Sequence, residues 1–139
     1  MGNVIIIKNE AELDAFAQYI ASLCHEQSCI ALHGDLGAGK TTFVKYLGKQ
    51  WNIDEVKSPS FGIVDVHYGN KTLIHIDAYR LTDESLKAFD LDDLCTPPYC
   101  LVVEWPERLN SSFHFDLHLY FSILPNGTRE IKWLEEHLA

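Results

Sequence analysis

GDLGAGKT, residues 34–41, decides the fold of this chain because it matches the phosphate-binding pattern GxxxxGKT at every fixed position. It follows an apolar segment, residues 28–33 (SCIALH), and precedes residues 42–51 (TFVKYLGKQW), whose apolar side chains have helical spacing. A buried strand, a glycine-rich loop and a helix in this order form the P-loop of nucleotide-binding α/β proteins. The octet therefore predicts a site for a nucleoside triphosphate.

Each kind of residue in the octet has a chemical role. The glycines permit backbone angles that turn successive N–H groups toward one anion. Lys40 adds a positive charge that reaches the terminal phosphates, and the hydroxyl of Thr41 is placed to ligate Mg²⁺. The following helix directs its positive N-terminal end at the same point. The predicted nucleotide-binding residues are Gly34, Asp35, Leu36, Gly37, Ala38, Gly39, Lys40, Thr41 and Thr42.

The composition limits what can surround this loop. A chain of 139 residues that is 47% apolar predicts one domain, residues 1–139, with a substantial core. Eleven basic and 20 acidic residues give a formal charge of −9, which disfavours autonomous binding of nucleic acid. The N-terminal apolar run, residues 4–7, has no charged leader, and no run approaches the roughly 18 residues of a membrane span. We expect a soluble, cytoplasmic protein.

The rest of the chain alternates strand and helix patterns. A helix is predicted to begin at Asn9, with Glu12 in a capping-box position, and an acidic helix is predicted over residues 81–94. Gly69-Asn70 predicts a two-residue hairpin, and the segment from Arg129 fits a strand or a helix. Strands are predicted at residues 4–8, 28–33, 62–68, 72–77, 99–104 and 113–121. These elements predict an α/β, P-loop NTPase-like three-layer fold, in which helices flank a mixed central sheet containing an antiparallel hairpin.

Cysteine and histidine residues raise the question of a metal site. Two CxxxxC pairs, at positions 24, 29, 95 and 100, have a spacing at the outer limit of zinc sites. Buried free thiols in a reducing compartment are the simpler interpretation. His114 and His118 are separated by roughly 13 Å along the predicted strand, too far to share one metal ion. We expect both histidines to face solvent.

ATP turnover needs a carboxylate near Mg²⁺ as well as the loop. The apolar segments LIHID (residues 73–77) and CLVVE (residues 100–104) end in Asp77 and Glu104. Ligands bind at the carboxyl ends of strands in α/β sheets, so we predict that both acids line the Mg²⁺ site together with Thr41. Lys40, Asp77 and Glu104 are the candidate catalytic residues. The segment SPSF, residues 58–61, offers hydroxyls that could hold a γ-phosphate or water, and it also fits an ordinary turn.

Four motifs in order, GDLGAGKT, SPSF, HIDAYRL (residues 75–81) and VEWPERL (residues 103–109), resemble the TsaE family, formerly called YjeE. The resemblance extends over about residues 10–129. This family is the small ATPase component of bacterial threonylcarbamoyladenosine synthesis on tRNA. The resemblance implies a protein that hydrolyses ATP with Mg²⁺ and acts on the TsaD and TsaB proteins, so that tRNA is involved only indirectly. The acidic composition agrees with an indirect involvement of tRNA, because an acidic protein is repelled by a polyanion.

The resemblance also implies roles for single residues. Lys40 and the loop amides would hold the phosphates, Thr41 and Glu104 would hold Mg²⁺, and Asp77 would lie near the metal and the attacking water. Trp105 resembles a family tryptophan beside the nucleotide. Ser60 stands where the family usually has threonine in SPTF, which keeps the hydroxyl and loses the methyl group. Three further residues would border the adenine: Glu10, Thr128 and Arg129.

Other classes of P-loop protein fit the sequence less well. A GTPase needs NKxD, and the nearest string, residues 70–73 (NKTL), has leucine at the aspartate position. A small-molecule kinase needs arginines around the transferred phosphoryl group and a lid. The chain has only Arg80, Arg108 and Arg129, and no insertion of lid length. The remaining alternatives are such a kinase and a nucleotide-dependent interaction module with little turnover of its own.

Overall fold

Seven strands form one sheet in the computed structural model, which describes residues 3–35, 37–54, 56, 64–79, 91–109 and 114–135. The strands are β1 (Asn3–Ile7), β2 (Gln27–His33), β3 (Val64–His67), β4 (Thr72–Asp77), β5 (Tyr99–Glu104), β6 (Leu117–Ile123) and β7 (Arg129–Glu135). Their order across the sheet is β1-β7-β6-β2-β5-β4-β3. Strands β6, β2, β5 and β4 are parallel, whereas β3, β7 and β1 pair antiparallel with their neighbours. The predicted mixed α/β fold is confirmed.

The helices are α1 (Glu10–Leu23), α2 (Lys40–Lys49) and α3 (Leu91–Leu94), with one 3₁₀ turn at Pro106–Arg108. The predicted cap at Asn9 is confirmed, since its side chain accepts a hydrogen bond from the Glu12 amide at 2.9 Å. The Glu12 carboxylate reaches one residue beyond the cap and accepts from the Lys8 amide at 2.7 Å. One free amide of the first turn of α1 and the amide just before the cap are therefore satisfied locally.

Helices α1 and α2 cover one face of the sheet. Phe16 and Ile20 of α1 meet Phe43 and Leu47 of α2 above the apolar side chains of β2, β5 and β6. The opposite face carries a second core of Ile74, Ile76, Leu101, Val103 and Leu109, against which α3 packs. The central strands are apolar on both faces for this reason. None of the helices in the described ranges is long and apolar enough to cross a membrane.

The largest differences between the predicted and observed strand boundaries are at the β3–β4 hairpin and at the start of β6. The last pair of the β3–β4 hairpin is His67 with Leu73, so the connection is longer than the two residues predicted. The Asn70 amide donates to the Trp51 carbonyl at 2.7 Å, and this bond ties the connection to the end of α2. In the described part of the predicted strand 113–121, pairing begins at Leu117, while Phe113 lies outside the described residues. The segment from Arg129 is a strand.

His118 lies on the outer face of β6, as expected, but it is half-buried because it packs against His33. Its Nδ1 lies 3.0 Å from His33 Nε2, and the two rings stack with a centroid distance of 5.3 Å. The parallel pairing of β2 with β6 brings these side chains together, and that pairing is not visible in either segment alone. Burial lowers the pKa of His33, and the neighbouring His118 lowers it further. His114 is exposed, as expected.

All four cysteines are free thiols, and Cys100 is buried. A hydrogen bond between Cys24 and Cys100 lowers the pKa of Cys24 and raises that of Cys100. The spatial pair is therefore Cys24 with Cys100 and not either CxxxxC pair. Among the described residues, no group of three or more His, Cys, Asp or Glu side chains could hold a metal ion.

Candidate active site

The octet connects β2 to α2, and its last two residues, Lys40 and Thr41, begin α2. Gly34, Gly37 and Gly39 have φ values of 141°, 80° and 105°, which confirms that the backbone here needs glycine. The Ala38 amide donates to the Asp35 carbonyl at 3.1 Å, and Gly39 caps α2 in the left-handed conformation. Asp35 is exposed and Ala38 is buried. Leu36 lies outside the described residues.

Gly34 is also constrained by β6. A Cβ at this position would collide with the carbonyl oxygen of Phe121, whereas a Cβ at Gly37 would meet nothing within 4 Å. We expect Gly34→Ala to lower the free energy of unfolding by about 2–5 kcal/mol, the sum of left-handed strain and overpacking. Gly37→Ala carries the strain alone and should cost about 1–2 kcal/mol.

Urea denaturation of the two variants and the parent protein measures this difference. Gly37→Ala is the matched control, because it changes the same residue type in the same loop. Equal losses in the two variants would mean that the contact with Phe121 does not constrain the loop.

Lys40 is buried although it carries a charge. Its side chain is only 4% exposed, and its Nζ donates to the Gly34 carbonyl at 2.5 Å. The same Nζ lies 3.8 Å from the centroid of the Trp105 ring, a cation–π distance. Burial lowers the pKa of Lys40, and the carboxylates of Glu104 and Asp77 oppose that shift. A buried ammonium group that bonds to the loop itself is suited to receive a phosphate anion.

The two predicted acids end neighbouring parallel strands in the same register. Asp77 of β4 pairs with Glu104 of β5. Glu104 is 3% exposed, and the Thr41 hydroxyl donates to its Oε2 at 3.3 Å. Asp77 is half-buried, and its Oδ1 accepts from the Tyr79 amide at 3.1 Å. The sheet aligns Asp77 with Glu104, and helix α2 places Thr41 beside Glu104 at the same end of the parallel strands.

His75 contacts Glu104, and sequence reasoning did not identify it. The ring is fully buried, and its Nε2 lies 2.5 Å from Glu104 Oε2. The signal for this contact was a histidine inside the apolar segment LIHID, two residues before the strand-end acid. A polar ring in a strand that is buried on both faces needs a polar partner.

Trp105 follows Glu104 in the left-handed region at φ 57°, which is unusual for a bulky residue and often marks a functional site. Its amide donates to the Leu32 carbonyl at 3.3 Å. The indole packs edge-on against Tyr79 at 5.0 Å, and the Arg108 guanidinium lies 4.8 Å from the Tyr79 ring. These contacts hold the Trp105 ring beside Lys40.

A cavity of about 270 Å³ opens beside the loop. Glu10, Gly39, Thr42 and Arg129 are among its lining residues, so two of the three predicted adenine neighbours lie there. Thr128 does not line it, and its hydroxyl donates to the Asn126 side chain at 2.6 Å. An adjoining groove of about 430 Å³ shares Glu10 and Thr42.

Arg129 joins the last strand to the loop. Its Nη2 donates to the Gly37 carbonyl at 3.4 Å, and its Nη1 donates to the Gly127 carbonyl at 3.0 Å. The side chain therefore spans the boundary between the loop and the cavity. Ser60 lies outside the described residues, so its predicted contact with the nucleotide stays a prediction.

The described residues fit Mg²⁺ and a nucleotide. Mg²⁺ in such sites is usually held by one or two protein oxygens together with phosphate and water. Thr41 and the buried Glu104 supply oxygens of this kind, and Lys40 supplies the cation that a polyphosphate requires. A closed cage of protein ligands is not needed.

Comparison with known proteins gives one family. The family profile described as "Threonylcarbamoyl adenosine biosynthesis protein TsaE" matches residues 7–131. The chain is 36% identical to a tRNA threonylcarbamoyladenosine biosynthesis protein TsaE of Aquifex aeolicus over 132 residues, which is 92% of each chain. The protein of the same name from Treponema pallidum is 35% identical over 81% of this chain and 85% of its own length.

A solved structure has the same fold. The crystal structure of YdiB from Bacillus subtilis superposes with a TM-score of 0.75 at 27% sequence identity. The superposition covers 97% of this chain and 86% of YdiB.

Proposed function

The chain belongs to the TsaE family, and from that premise we propose that it is a Mg²⁺-dependent ATPase serving threonylcarbamoyladenosine biosynthesis on tRNA. The buried Lys40, which bonds to its own glycine-rich loop, is the observation that carries the ATPase proposal. Burying an ammonium group is costly unless an anion is to be bound beside it. The names of the relatives support the pathway.

Each residue has a proposed task. The loop amides and Lys40 bind the phosphates, Thr41 and Glu104 hold Mg²⁺, and Asp77 orients the attacking water. Bound Mg²⁺ neutralises charge on the phosphates. Water adds to the γ-phosphorus and the bond to the β-phosphate oxygen breaks, which gives ADP and inorganic phosphate. The release of phosphate is proposed to reset a partner complex.

The cavity beside the loop is the proposed adenine pocket. Glu10 and Arg129 line it, and Gly39 and Thr42 connect it to the phosphate-binding loop. Its volume of about 270 Å³ suits a planar base. The residues proposed for the adenine stay Glu10, Thr128 and Arg129, of which Glu10 and Arg129 line the cavity and Thr128 does not.

The proposed partners are the TsaD and TsaB proteins, with tRNA involved only indirectly. The formal charge of −9 supports this proposal, because an acidic chain is repelled by a polyanion. We further propose that residues 1–139 act as one ATPase domain in the cytoplasm, and that turnover is weak until the partners bind.

Trp105 provides a direct test of nucleotide binding. Lys40 lies over its ring, so a phosphate that draws the ammonium group away should change the indole fluorescence. We expect a saturable change in emission when ATP and Mg²⁺ are titrated into the protein. Trp51 and Trp133 are buried elsewhere and contribute a background.

Replacing one tryptophan at a time separates the fluorescence of Trp105 from that of Trp51 and Trp133. Trp105→Phe should abolish the ATP-dependent change, whereas Trp51→Phe and Trp133→Phe should keep it. A response that survives in Trp105→Phe would show that the nucleotide does not bind beside this ring.

The role within the pathway is tested by measuring phosphate release. The protein is assayed alone, with tRNA alone, with TsaD and TsaB, and with tRNA added to that mixture. We expect the two proteins to stimulate ATP hydrolysis and tRNA alone to have no effect. Transfer of the phosphoryl group to a small acceptor would instead favour a kinase, and no effect of the proteins would contradict the proposed partnership.

A further inference from the structure

His75 occupies a position that the proposed ATPase mechanism does not use. It lies on β4 two residues before Asp77, and its ring is fully buried against Glu104, the last residue of β5. The contact between His75 Nε2 and Glu104 Oε2 measures 2.5 Å. The side chains of both residues are almost inaccessible to solvent, at 0% and 4% exposure. Water therefore does not compete for this hydrogen bond.

The other ring nitrogen indicates which group donates. Among the described residues, His75 Nδ1 has no hydrogen-bond partner. A hydrogen on Nδ1 would be a buried donor without an acceptor, which is more costly than a bare acceptor. The ring therefore carries its hydrogen on Nε2 and donates it to Glu104, which accepts as a carboxylate.

This bond fixes one oxygen of Glu104. Oε2 accepts from His75 at 2.5 Å and from the Thr41 hydroxyl at 3.3 Å, while Oε1 lies 3.5 Å from the same hydroxyl. A carboxylate that accepts these two hydrogen bonds cannot rotate freely about the Cγ–Cδ bond of Glu104. Residues that orient a metal ligand typically change metal affinity or activity by 10- to 100-fold when they are removed.

We propose that His75 is a positioning residue, which orients the Glu104 carboxylate so that Glu104 and Thr41 together hold the divalent cation of the nucleotide. This inference rests on the proposed ATPase function and assigns His75 a role within that site. His75 itself does not contact the nucleotide or the cation.

Two replacements of His75 separate orientation from packing. Leucine fills the space without a donor, whereas the glutamine amide carries an N–H₂ group at about the distance of Nε2. Mg²⁺ is titrated against each protein saturated with a non-hydrolysable ATP analogue, and tryptophan fluorescence is followed. We expect His75→Leu to raise the half-maximal Mg²⁺ concentration by about tenfold and His75→Gln to restore it to within about threefold of the parent value.

Affinity for the analogue without Mg²⁺ serves as the control. It should stay within about twofold in both variants, because His75 does not contact the phosphates. If His75→Leu does not fold, His75→Asn replaces it, since the shorter amide does not reach Glu104. The role of His75 is overturned if His75→Leu, or His75→Asn in its place, has the same half-maximal Mg²⁺ concentration as the parent protein. It is also overturned if His75→Gln needs as much Mg²⁺ as that variant.

The metal-free protein provides a second readout. Nitrogen-15 NMR of the imidazole should show His75 protonated at Nε2 and bare at Nδ1, and Glu104→Gln should shift the Nε2 hydrogen resonance. The opposite tautomer would overturn the proposal. If Mg²⁺ does not change nucleotide binding by the parent protein, the proposed function and the role of His75 are both overturned. If the parent protein responds to Mg²⁺ but the His75 variants do not differ from it as expected, only the role of His75 is overturned.

Discussion

Lys40→Ala is expected to weaken ATP binding by about a hundredfold or more. Lys40 is 4% exposed and its ammonium group contacts the loop through the Gly34 carbonyl, so a phosphate bound there would meet it with little competing water. A hydrogen bond to a charged group contributes about 1.5–3 kcal/mol, and a polyphosphate offers several acceptors to one ammonium group. Each 1.4 kcal/mol corresponds to about a tenfold change in affinity.

Calorimetric titration with ATP and Mg²⁺ measures the loss. Lys49→Ala is the matched control, because Lys49 lies on the same helix and is exposed. It should bind ATP like the parent protein. Unchanged affinity in Lys40→Ala, with thermal unfolding showing an intact fold, would contradict the assignment of the whole loop.

Glu104→Gln is expected to lower partner-stimulated ATP hydrolysis by about 100- to 1000-fold. Glutamine keeps the shape of the side chain and can still accept from His75 and Thr41, but it removes the negative charge that a divalent cation requires. Binding of ATP without Mg²⁺ should change little, since the buried Lys40 and the loop remain. The loss therefore appears in turnover and in the Mg²⁺ requirement.

Glu107→Gln is the control for this experiment. Glu107 is an exposed acid in the 3₁₀ turn that follows Trp105, so its replacement makes the same chemical change outside the proposed metal site. It should retain the parent rate of phosphate release. If Glu104→Gln also retained that rate with Mg²⁺ present, Glu104 would not be a ligand of the cation.

The local part of the site was predictable from sequence. The octet contains its own glycines, lysine and threonine, and a strand and a helix flank it, so the positive φ values at three glycines follow from residues 34–41 alone. The two acids were predicted because each ends an apolar strand. Their common register, Asp77 opposite Glu104, follows once β4 and β5 are parallel neighbours.

The non-local part was not predictable in the same way. Which strands are neighbours depends on packing across the whole sheet, and no short segment records that β6 lies beside β2 or that β7 separates β6 from β1. The contact between His33 and His118 depends on the first of these pairings. The contact between His75 and Glu104 was missed for a related reason, because the sequence around a buried histidine does not indicate which strand carries its hydrogen-bond acceptor.

The hairpin connection shows how tertiary contacts override a turn signal. Gly69-Asn70 is a strong two-residue hairpin pattern, yet the Asn70 amide bonds to the Trp51 carbonyl and the strands stop pairing at His67. A Cβ at Gly69 would collide with that same carbonyl. Glycine is needed here for close approach to the end of α2 and not for the turn that the sequence suggests.

The link between Arg129 and Gly37 has a consequence for biosynthesis. These residues are 92 positions apart in the chain, and Gly34 packs on the carbonyl of Phe121. During translation the octet is therefore synthesised long before the β6–β7 hairpin that contacts it. Contacts between such distant residues form late because a long stretch of chain must first be ordered. The loop of a newly made chain thus reaches its folded shape only after residues 117–135 have been made, when β6 and β7 join the sheet.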